Sequence, residues 1–466
     1  MSESLKLFEI GSEEFEAFQS RLASRNEGGD ISLGGKPTEL MQRARDTGDT
    51  EFIQFAEAFY EGLPNSALAT VERVIERVRE QGDEAVRQCA RLFDGEELPT
   101  NRIQANKLDL MKGADGVDEA LLKHCTDEIL PRLRKFHEKQ KLESWQIDDN
   151  GGSVGVRMQP LRRVALYVPG GTATYPSTLM MTAVAAQTAG VEEICVLTPP
   201  ENLEKSPLLC ALIDHLGIEE VFRVGGAQAV AAAAIGTEKI ARVDKIVGPG
   251  NIFVAIAKQL LSGRVGIDGF AGPSEIVVLF DDSTDPAIVA ADMLAQAEHD
   301  VHAAAIGITD SAEAAEKVKA EVEKQVADLP RKEIVEASLA HYGGILTVPS
   351  KGFAIRFADS IAPEHCEVLT SDAENDAKQL RNAGAIFVGP YAPEAFGDYN
   401  AGPNHVLPTA GSARWASALG VNDFVRQVSI IRGSKELLEA NKDAAVKLAR
   451  SEELEAHARS VEQRFK

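Results

Sequence analysis

From RRVALYVPGG onward, short hydrophobic runs alternate with longer stretches of helical character. A first series of runs reads ALYV, EICVLT, VFRVGG and KIVGPG, and a second reads EIVVLF, AAAIGI, GILTV and AIFVG. Stretches such as STLMMTAVAAQTAG and DPAIVAADMLAQAEHD separate them. Strands that alternate with helices in this way are typical of βαβ units with parallel sheets. The pattern therefore predicts two Rossmann-like α/β domains.

The two ends of the chain follow a different pattern. Residues 1–65 are polar and amphipathic and include the glycine-rich link SRNEGGDISLGGKPTE, which predicts an N-terminal helical arm. After residue 416 the sequence is again helical and charged, which predicts a C-terminal segment that packs on a neighbouring chain. Just after the arm, apolar residues recur at the spacing of a helix that covers a core: Val71, Val74, Ile75 and Val78.

Glycine and proline cluster near residues 166 and 273, where we place the domain boundaries. The predicted first domain is discontinuous and consists of residues 66–166 and 274–415. The second domain is predicted to span residues 167–273.

Composition shows that the chain is strongly acidic. Its 466 residues carry a formal net charge of -23 at pH 7, which disfavours nucleic acid and anionic membranes as partners because both reward basic patches. No secretory leader and no apolar run long enough to span a membrane is evident. Five cysteines without a CxxC pair indicate neither a disulfide framework nor a thiolate zinc site: Cys89, Cys125, Cys195, Cys210 and Cys366. We therefore expect a cytoplasmic protein.

Three glycine-rich loops follow predicted strands of the first series. In LYVPGGTATYPSTLMM a strand leads into a glycine pair and then a helix, so backbone N–H groups could face an anion at the helix N-terminus. VGGAQAVAAAAIG and VGPGNIFVAIAK repeat this order, and ligands of parallel sheets bind at the carboxyl ends of the strands. Each loop alone is also consistent with a tight turn. Three in succession favour a nucleotide-sized ligand.

Side chains that can bind metal or transfer protons occur in four motifs. Imidazole is a common zinc ligand, and a glutamine and a histidine three residues apart on a helix project from one face, although a capped helix end explains the same spacing. The motifs are QAEHD with Gln296 and His299, IAPEHCEV with Glu364 and His365, FGDYNAGPNHVLPT with Asp398 and His405, and SEELEAH with Glu452 and His457.

Taken together and in this order, the motifs resemble the histidinol dehydrogenase family. The resemblance rests on LYVPGGTATYPST, VGGAQA, DKIVGPGN, GIDGFAGPSE, QAEHD, APEH, GDYNAGPNHVLPT and EAHARSV, and it extends from about residue 66 to the C-terminus. It implies a homodimeric enzyme that holds one Zn²⁺ per subunit. It also implies oxidation of L-histidinol through the aldehyde to L-histidine, with two NAD molecules used in sequence.

Carried over position by position, the resemblance implies four zinc ligands: Gln296, His299, Asp398 and His457. Two imidazoles, a carboxylate and an amide oxygen leave room for a substrate ligand. In the family the last histidine comes from the partner subunit. The segment 416–466 would then be a dimerisation segment that brings Glu452 and His457 to the partner's site.

The resemblance also implies the catalytic roles. His365 would accept a proton in both oxidation steps, and Glu364 would activate the water that attacks the aldehyde. Residues 66–166 and 274–415 would carry the metal and catalytic groups, and residues 167–273 would bind NAD through Tyr167, Gln228 and Asn251. The implied substrate contacts are Ser274, Gln296, His299, His365, Asp398, His405, Glu452 and His457.

Two rival functions remain open from the sequence. A paralogous zinc and NAD dehydrogenase of another polar primary alcohol, such as a sulfonated propanediol, would use the same frame. A zinc hydrolase would use Glu364 with a metal-bound water and would need no NAD. The three glycine loops are unneeded in a hydrolase, which favours the dehydrogenases.

Overall fold

A computed structural model of the chain describes residues 5–26, 32–95, 97–170, 174–270 and 272–466, with the side chains of 24–26 excepted. Part of the predicted glycine-rich loop after VPG, residues 171–173, therefore lies outside the described residues.

The described residues form fifteen strands, most of them short. They are β1 (Lys6–Glu9), β2 (Gln104–Ala105), β3 (Trp145–Asp149), β4 (Gly152–Pro160), β5 (Arg163–Tyr167), β6 (Glu193–Thr198), β7 (Glu220–Arg223), β8 (Lys245–Val247), β9 (Gly266–Ile267), β10 (Glu275–Leu279), β11 (Ala304–Thr309), β12 (Gly343–Thr347), β13 (His365–Val368), β14 (Ala385–Val388) and β15 (Val425–Arg432).

The helices of the described residues lie between and around these strands. They are α1 (Glu13–Asn26), α2 (Lys36–Asp46), α3 (Thr50–Tyr60), α4 (Ala67–Gln81), α5 (Asp83–Phe93), α6 (Lys107–Gly113), α7 (Glu119–His124), α8 (Leu130–Glu138), α9 (Pro176–Ala189), α10 (Pro200–Lys205), α11 (Pro207–His215), α12 (Gly226–Ile235), α13 (Ile252–Leu261), α14 (Pro286–Ala297), α15 (Ala312–Gln325), α16 (Lys332–Tyr342), α17 (Lys351–Ile361), α18 (Ala373–Ala377), α19 (Glu394–Tyr399), α20 (Lys435–Ser451) and α21 (Glu455–Glu462). A π-helical turn (Cys125–Ile129) and five short 3-10 turns complete the set: Thr100–Arg102, Val326–Asp328, Ser412–Arg414, Val421–Phe424 and Gln463–Phe465.

The first sheet is parallel and six-stranded, in the order β1-β12-β11-β10-β13-β14. Four of its strands, β10, β11, β12 and β14, come from the second series of hydrophobic runs, whereas β1 and β13 do not. Both faces are covered, since alternate residues of β10 belong to two different hydrophobic clusters. The prediction of an α/β fold with parallel sheets is confirmed here.

The second sheet has the order β2-β7-β6-β5-β8-β9 and is parallel except for β2, which runs antiparallel to β7. The chain proceeds from β5 outward to β6 and β7, then returns to the other side of β5 for β8 and β9. This reversal places a topological switch point at the carboxyl ends of β5 and β8, where α/β sheets bind their ligands.

The segment 66–166 packs differently from the prediction, which joined it to the first sheet. Helices α4 and α5 share a core with Ala165, Tyr167 and Phe222 of the second sheet. Strand β5 is itself a central strand of that sheet. The reason for the difference is physical: the buried spacing of Val71 and Val74 shows that a helix has an apolar face, but it does not show which sheet that face covers.

The terminal segments contain strands as well as helices. Strand β1, within the predicted N-terminal arm, extends the edge of the first sheet beside β12. Strand β15, within the predicted C-terminal helical segment, pairs with β4 in a three-stranded antiparallel sheet, β15-β4-β3. Among the described residues, no helix is both long enough and apolar enough to cross a lipid bilayer.

A buried ion pair fixes the turn that follows β8. The Lys258 ammonium, 3% exposed, donates to the Gly248 carbonyl over 2.8 Å and also pairs with Asp268. The other Asp268 oxygen accepts from the Gly248 N–H over 2.6 Å. Lysine and aspartate thus hold both backbone groups of Gly248.

We expect Lys258→Met to destabilise the protein by about 3–5 kcal/mol, because it leaves the Asp268 carboxylate buried without its cation. The exposed pair of Lys317 and Glu313 supplies the control, since Lys317→Met removes a charge that water already solvates. Chemical denaturation measures both free energies of unfolding. Equal values for the two variants would contradict a stabilising role for the buried pair.

Candidate active site

Glu364 and His365 lie at the amino end of β13 in the first sheet. Helix α17 ends at Ile361, Ala362 adopts a left-handed conformation with φ of 55°, and Pro363 leads into β13. Because β13 is flanked by β10 on one side and by the outermost strand β14 on the other, the pair is covered from both sides and is buried.

Hydrogen-bond acceptors surround one ring nitrogen of His365. Its Nδ1 lies 3.1 Å from the Glu275 carbonyl oxygen and 3.1 Å from Oε1 of Gln296, so it carries the proton and donates. Nε2 is buried and has no hydrogen-bond partner among the described residues. Burial lowers the pKa of His365 to about 3. The ring is therefore neutral at pH 7, with its lone pair on Nε2.

Glu364 is the second proton-transfer group of the pair. Its carboxylate accepts from the Glu275 N–H over 3.1 Å and from the Ser274 hydroxyl. Burial, followed by the negative charge of Glu275, raises the pKa of Glu364 well above its usual value. A carboxylate of raised pKa is a stronger base once ionised, and these two donors hold it in place.

Three side chains next to His365 could hold a metal ion. The ligand atoms of His299, Glu394 and Asp398 all lie within 4.8 Å of one another. Glu394 and Asp398 are four residues apart on α19 and share one face of it. Burial raises the pKa of Asp398 to about 7 and that of Glu394 well above its usual value. A divalent cation would stabilise the ionised form of both carboxylates.

Gln296 joins this cluster to the base. It lies at the end of α14, one turn before His299, and is fully buried. Its Oε1 accepts from His365, and its Nε2 has no partner among the described residues. An imidazole, an amide oxygen and carboxylates are a donor set that suits zinc. The residues present therefore fit the metal that the sequence predicts.

His405 connects the cluster with the second domain. Its Nδ1 lies 3.1 Å from the Asp398 carbonyl oxygen, and its Nε2 lies 3.4 Å from the Thr178 hydroxyl on α9. Burial lowers the pKa of His405 to about 4. One residue earlier, the Asn404 amide donates to the Met181 carbonyl of the same helix. The loop after Asp398 thus rests on α9 at the boundary between the domains.

Glu452 and His457 lie elsewhere in the single chain. Glu452 caps the end of α20, His457 lies on α21, and both are exposed. His457 does not belong to the cluster of ligand atoms formed by the described residues. Its contribution from a partner subunit stays a prediction.

The predicted NAD residues lie at the carboxyl edge of the second sheet. The Tyr167 hydroxyl accepts from the Gly226 N–H over 2.9 Å. Gln228 is 2% exposed and lies in the first turn of α12, and Asn251 caps α13 through the N–H groups of its first turn. Asn251 therefore also has the turn role that its position after GPG indicates.

This edge has features that suit a dinucleotide. Gly248 has φ of +113°, and a Cβ there would lie 2.2 Å from the Tyr167 carbonyl oxygen, so only glycine allows β5 and the β8 turn to approach. The N-terminus of α12 has no side-chain cap, which leaves backbone donors for an anion. The residues present fit a cofactor bound at the switch point.

The two candidate sites lie at different ends of the strands in their respective sheets. The predicted NAD residues lie at the carboxyl edge of the second sheet, whereas the predicted catalytic pair and the candidate metal cluster lie at the amino edge of the first. At the carboxyl edge of the first sheet, both oxygens of Asp281 accept hydrogen bonds, from Ser283 and Ser371. Asp281 thus has a structural role at that edge.

Two glutamates of the site, Glu394 and Glu275, were not predicted from the sequence. Glu394 is 2% exposed, has one oxygen without a partner among the described residues, and lies 3.7 Å from His365 Nδ1. Its spacing of four residues from Asp398 in PEAFGDY was the available signal. Glu275 acts through its backbone, so only strand pairing reveals its contact with His365.

Comparisons with known proteins agree with this arrangement. The family model described as histidinol dehydrogenase matches residues 62–465. The histidinol dehydrogenase of Caldanaerobacter subterraneus subsp. tengcongensis is 46% identical over 404 residues, which cover 86% of this chain and 94% of that protein. That of Halalkalibacterium halodurans is 45% identical over 85% of this chain and 93% of its own. A crystal structure of histidinol dehydrogenase from Elizabethkingia anophelis superposes with a TM-score of 0.79 at 32% identity, over 85% of this chain and 91% of that one.

The two mainly parallel sheets, the neutral buried histidine and the adjoining cluster of potential ligands are those of an α/β enzyme with proton-transfer groups beside a candidate metal site. Within that class, the chain belongs to the histidinol dehydrogenase family.

We expect zinc affinity to fall as the pH decreases from about 8 to about 6. If Asp398 binds the metal as the sequence predicts, its pKa of about 7 in the metal-free chain means that a proton must leave first. Asp398→Asn should lower zinc affinity at pH 8 by about 10-fold or more. Chelator competition with metal analysis by mass spectrometry measures both effects.

Asp310→Asn is the control for that prediction, because Asp310 is an exposed carboxylate outside the cluster. It should keep the affinity and pH dependence of the unaltered protein. Full zinc affinity in Asp398→Asn would exclude Asp398 as a ligand.

Proposed function

We propose that the protein oxidises L-histidinol through L-histidinaldehyde to L-histidine, with zinc in the cluster described above and two NAD molecules used in sequence. Membership of the histidinol dehydrogenase family supports the reaction. The observation that carries the site assignment is the neutral His365, whose Nε2 has no partner among the described residues while Nδ1 is held by two acceptors. We propose a cytoplasmic location, which suits cysteines that are all buried and free.

Two adjacent bases divide the proton transfers. Nε2 of His365 accepts the proton of the substrate hydroxyl in the first oxidation, and that of the hydrated aldehyde in the second. The Glu364 carboxylate takes a proton from the water that attacks the aldehyde carbon. Ser274 and the Glu275 N–H orient that carboxylate, so its basic oxygen stays beside His365.

Bound zinc would anchor the imidazole and amine of the substrate, and bound NAD would supply the hydride acceptor. Gln296, His299 and Asp398 of one chain, with His457 of the other, are the ligands that we propose. Glu394 lies close enough to shape the same site. Tyr167, Gln228 and Asn251 are the proposed contacts of NAD.

The charge of the site favours a cationic substrate. Glu364, Glu394 and Asp398 converge beside His365, and Glu275 contributes a further buried carboxylate. An amino alcohol with a protonated amine is attracted to this surface, whereas a sulfonated diol brings a fixed negative charge. The acidic site thus favours histidinol over the paralogous substrate. A requirement for NAD separates both from the zinc hydrolase.

We propose that the enzyme is a homodimer in which Glu452 and His457 complete the partner's site. Both residues are exposed in the single chain, so their side chains are accessible to a partner subunit. His405 and Ser274 would contact substrate from the chain that carries His365.

We expect Glu364→Gln and His365→Asn to separate the two oxidations. His365→Asn should lower both rates by roughly 10²–10⁴-fold, because it removes the base of each step. Glu364→Gln should chiefly slow the second step, so the NADH yield per histidinol consumed falls from two towards one. NADH absorbance with product analysis on the zinc-loaded enzyme measures rate and yield.

The control for these two variants is Glu374→Gln, because Glu374 is an exposed glutamate on α18. This variant should keep the full yield of two NADH per histidinol. If the unaltered enzyme oxidises other polar alcohols but not histidinol, the paralogous dehydrogenase reaction is the correct assignment. An unaltered enzyme that produces no NADH from any alcohol would contradict the proposed function.

We expect mixed dimers to recover activity that each parent lacks. If His457 acts in trans, a dimer of His365→Asn with His457→Asn contains one intact site, and an equal mixture should regain about a quarter of the unaltered activity. A mixture of His365→Asn with Glu364→Gln leaves both sites defective and serves as control. Absence of recovery after verified subunit exchange would place His457 in the site of its own chain.

A further inference from the structure

The turn after α5 brings a carboxylate to the proposed NAD residues. Asp94 is exposed, and its Oδ2 accepts from the buried Gln228 amide over 3.2 Å. Its negative charge also contributes to the raised pKa of Tyr167, whose hydroxyl bonds Gly226 at the same sheet edge. Asp94 thus lies beside the open N-terminus of α12, although it comes from outside the βαβ units.

Arginine side chains bond to described residues on both sides of this turn. Arg87 donates to the Leu98 carbonyl over 2.7 Å, just beyond the turn. Arg43 of α2 donates to the Leu92 carbonyl at the end of α5, and its guanidinium lies next to Gly95. Helix α2 lies outside the residues that the family model matches, 62–465. The donors of Arg43 are directed at carbonyls of α5, so the group that faces Gln228 is the carboxylate.

We propose that Asp94 is a specificity-determining residue that binds the adenosine ribose of NAD and disfavours NADP. The inference rests on the proposed function, because it requires that the second sheet binds a dinucleotide. A carboxylate accepts hydrogen bonds from the ribose hydroxyls of NAD, and it repels the 2′-phosphate that NADP carries at the same place. Arg43 acts through the turn and is a positioning residue.

The test is a calorimetric titration of the zinc-loaded enzyme with NAD and, separately, NADP. Asp94→Asn keeps an oxygen for the Gln228 amide, removes the negative charge and replaces the second acceptor oxygen with an NH₂ donor. We expect it to weaken NAD binding by about 10-fold and to strengthen NADP binding by a similar factor. Arg43→Met should weaken NAD binding to a smaller degree and leave the preference for NAD over NADP intact.

Asp115→Asn is the matched control, since Asp115 is an exposed carboxylate that also follows a helix, α6, and lies outside the site. Asp94→Ser is a second variant, and thermal unfolding verifies that both Asp94 variants are folded. If the unaltered enzyme binds NAD and both folded Asp94 variants match Asp115→Asn, the proposal for Asp94 is overturned while the proposed function stands. If the folded, unaltered enzyme binds neither dinucleotide, the proposed function fails and this inference fails with it.

Discussion

The hydrogen bond between the Nδ1 of His365 and the backbone carbonyl of Glu275 is the contact on which the rest of the site depends. Because β10 and β13 are neighbouring strands, their pairing fixes the distance, and the acceptor cannot change its charge or turn away. The bond selects one tautomer and leaves Nε2 as the basic atom. The backbone N–H of the same Glu275 holds Glu364. A single residue of β10 thus orients both members of the proposed catalytic pair.

Burial of several ionised carboxyl groups in the candidate site costs free energy, which a bound cation would offset. Burial raises the pKa values of Glu364, Glu394 and Asp398, and neighbouring carboxyl groups raise those of Glu364 and Glu394 further. In the metal-free chain these groups are therefore more easily protonated than exposed carboxyl groups. A divalent ion and a cationic substrate would convert that unfavourable arrangement into an attractive one. The buried carboxyl groups that cost free energy in the metal-free chain therefore also make the cluster selective for cations.

The sequence alone predicts the two α/β domains because fully buried strands read as unbroken hydrophobic runs, and EICVLT and EIVVLF became β6 and β10 almost residue for residue. The sequence does not predict which sheet a helix covers. Helices α4 and α5 were assigned to the first domain, but they pack on the second sheet. The three-stranded antiparallel sheet was missed because β3 and β15 are largely exposed, β4 is only partly buried, and none of the three contains such a run. Glu394 escaped notice because a glutamate near a proline in a loop-rich stretch reads as solvated surface.

The loop from Asp398 to Thr409 shows how the two domains act as one site. It supplies a proposed metal ligand to the first sheet, yet His405 and Asn404 bond to α9 of the second. At its far end the Thr409 hydroxyl accepts from the Gly272 N–H, on the segment that joins the two domains before β10. Helix α9 thus packs against the loop that follows Asp398, and its own N-terminus follows the glycine-rich loop after β5. One helix therefore adjoins both the candidate metal cluster and the predicted NAD edge.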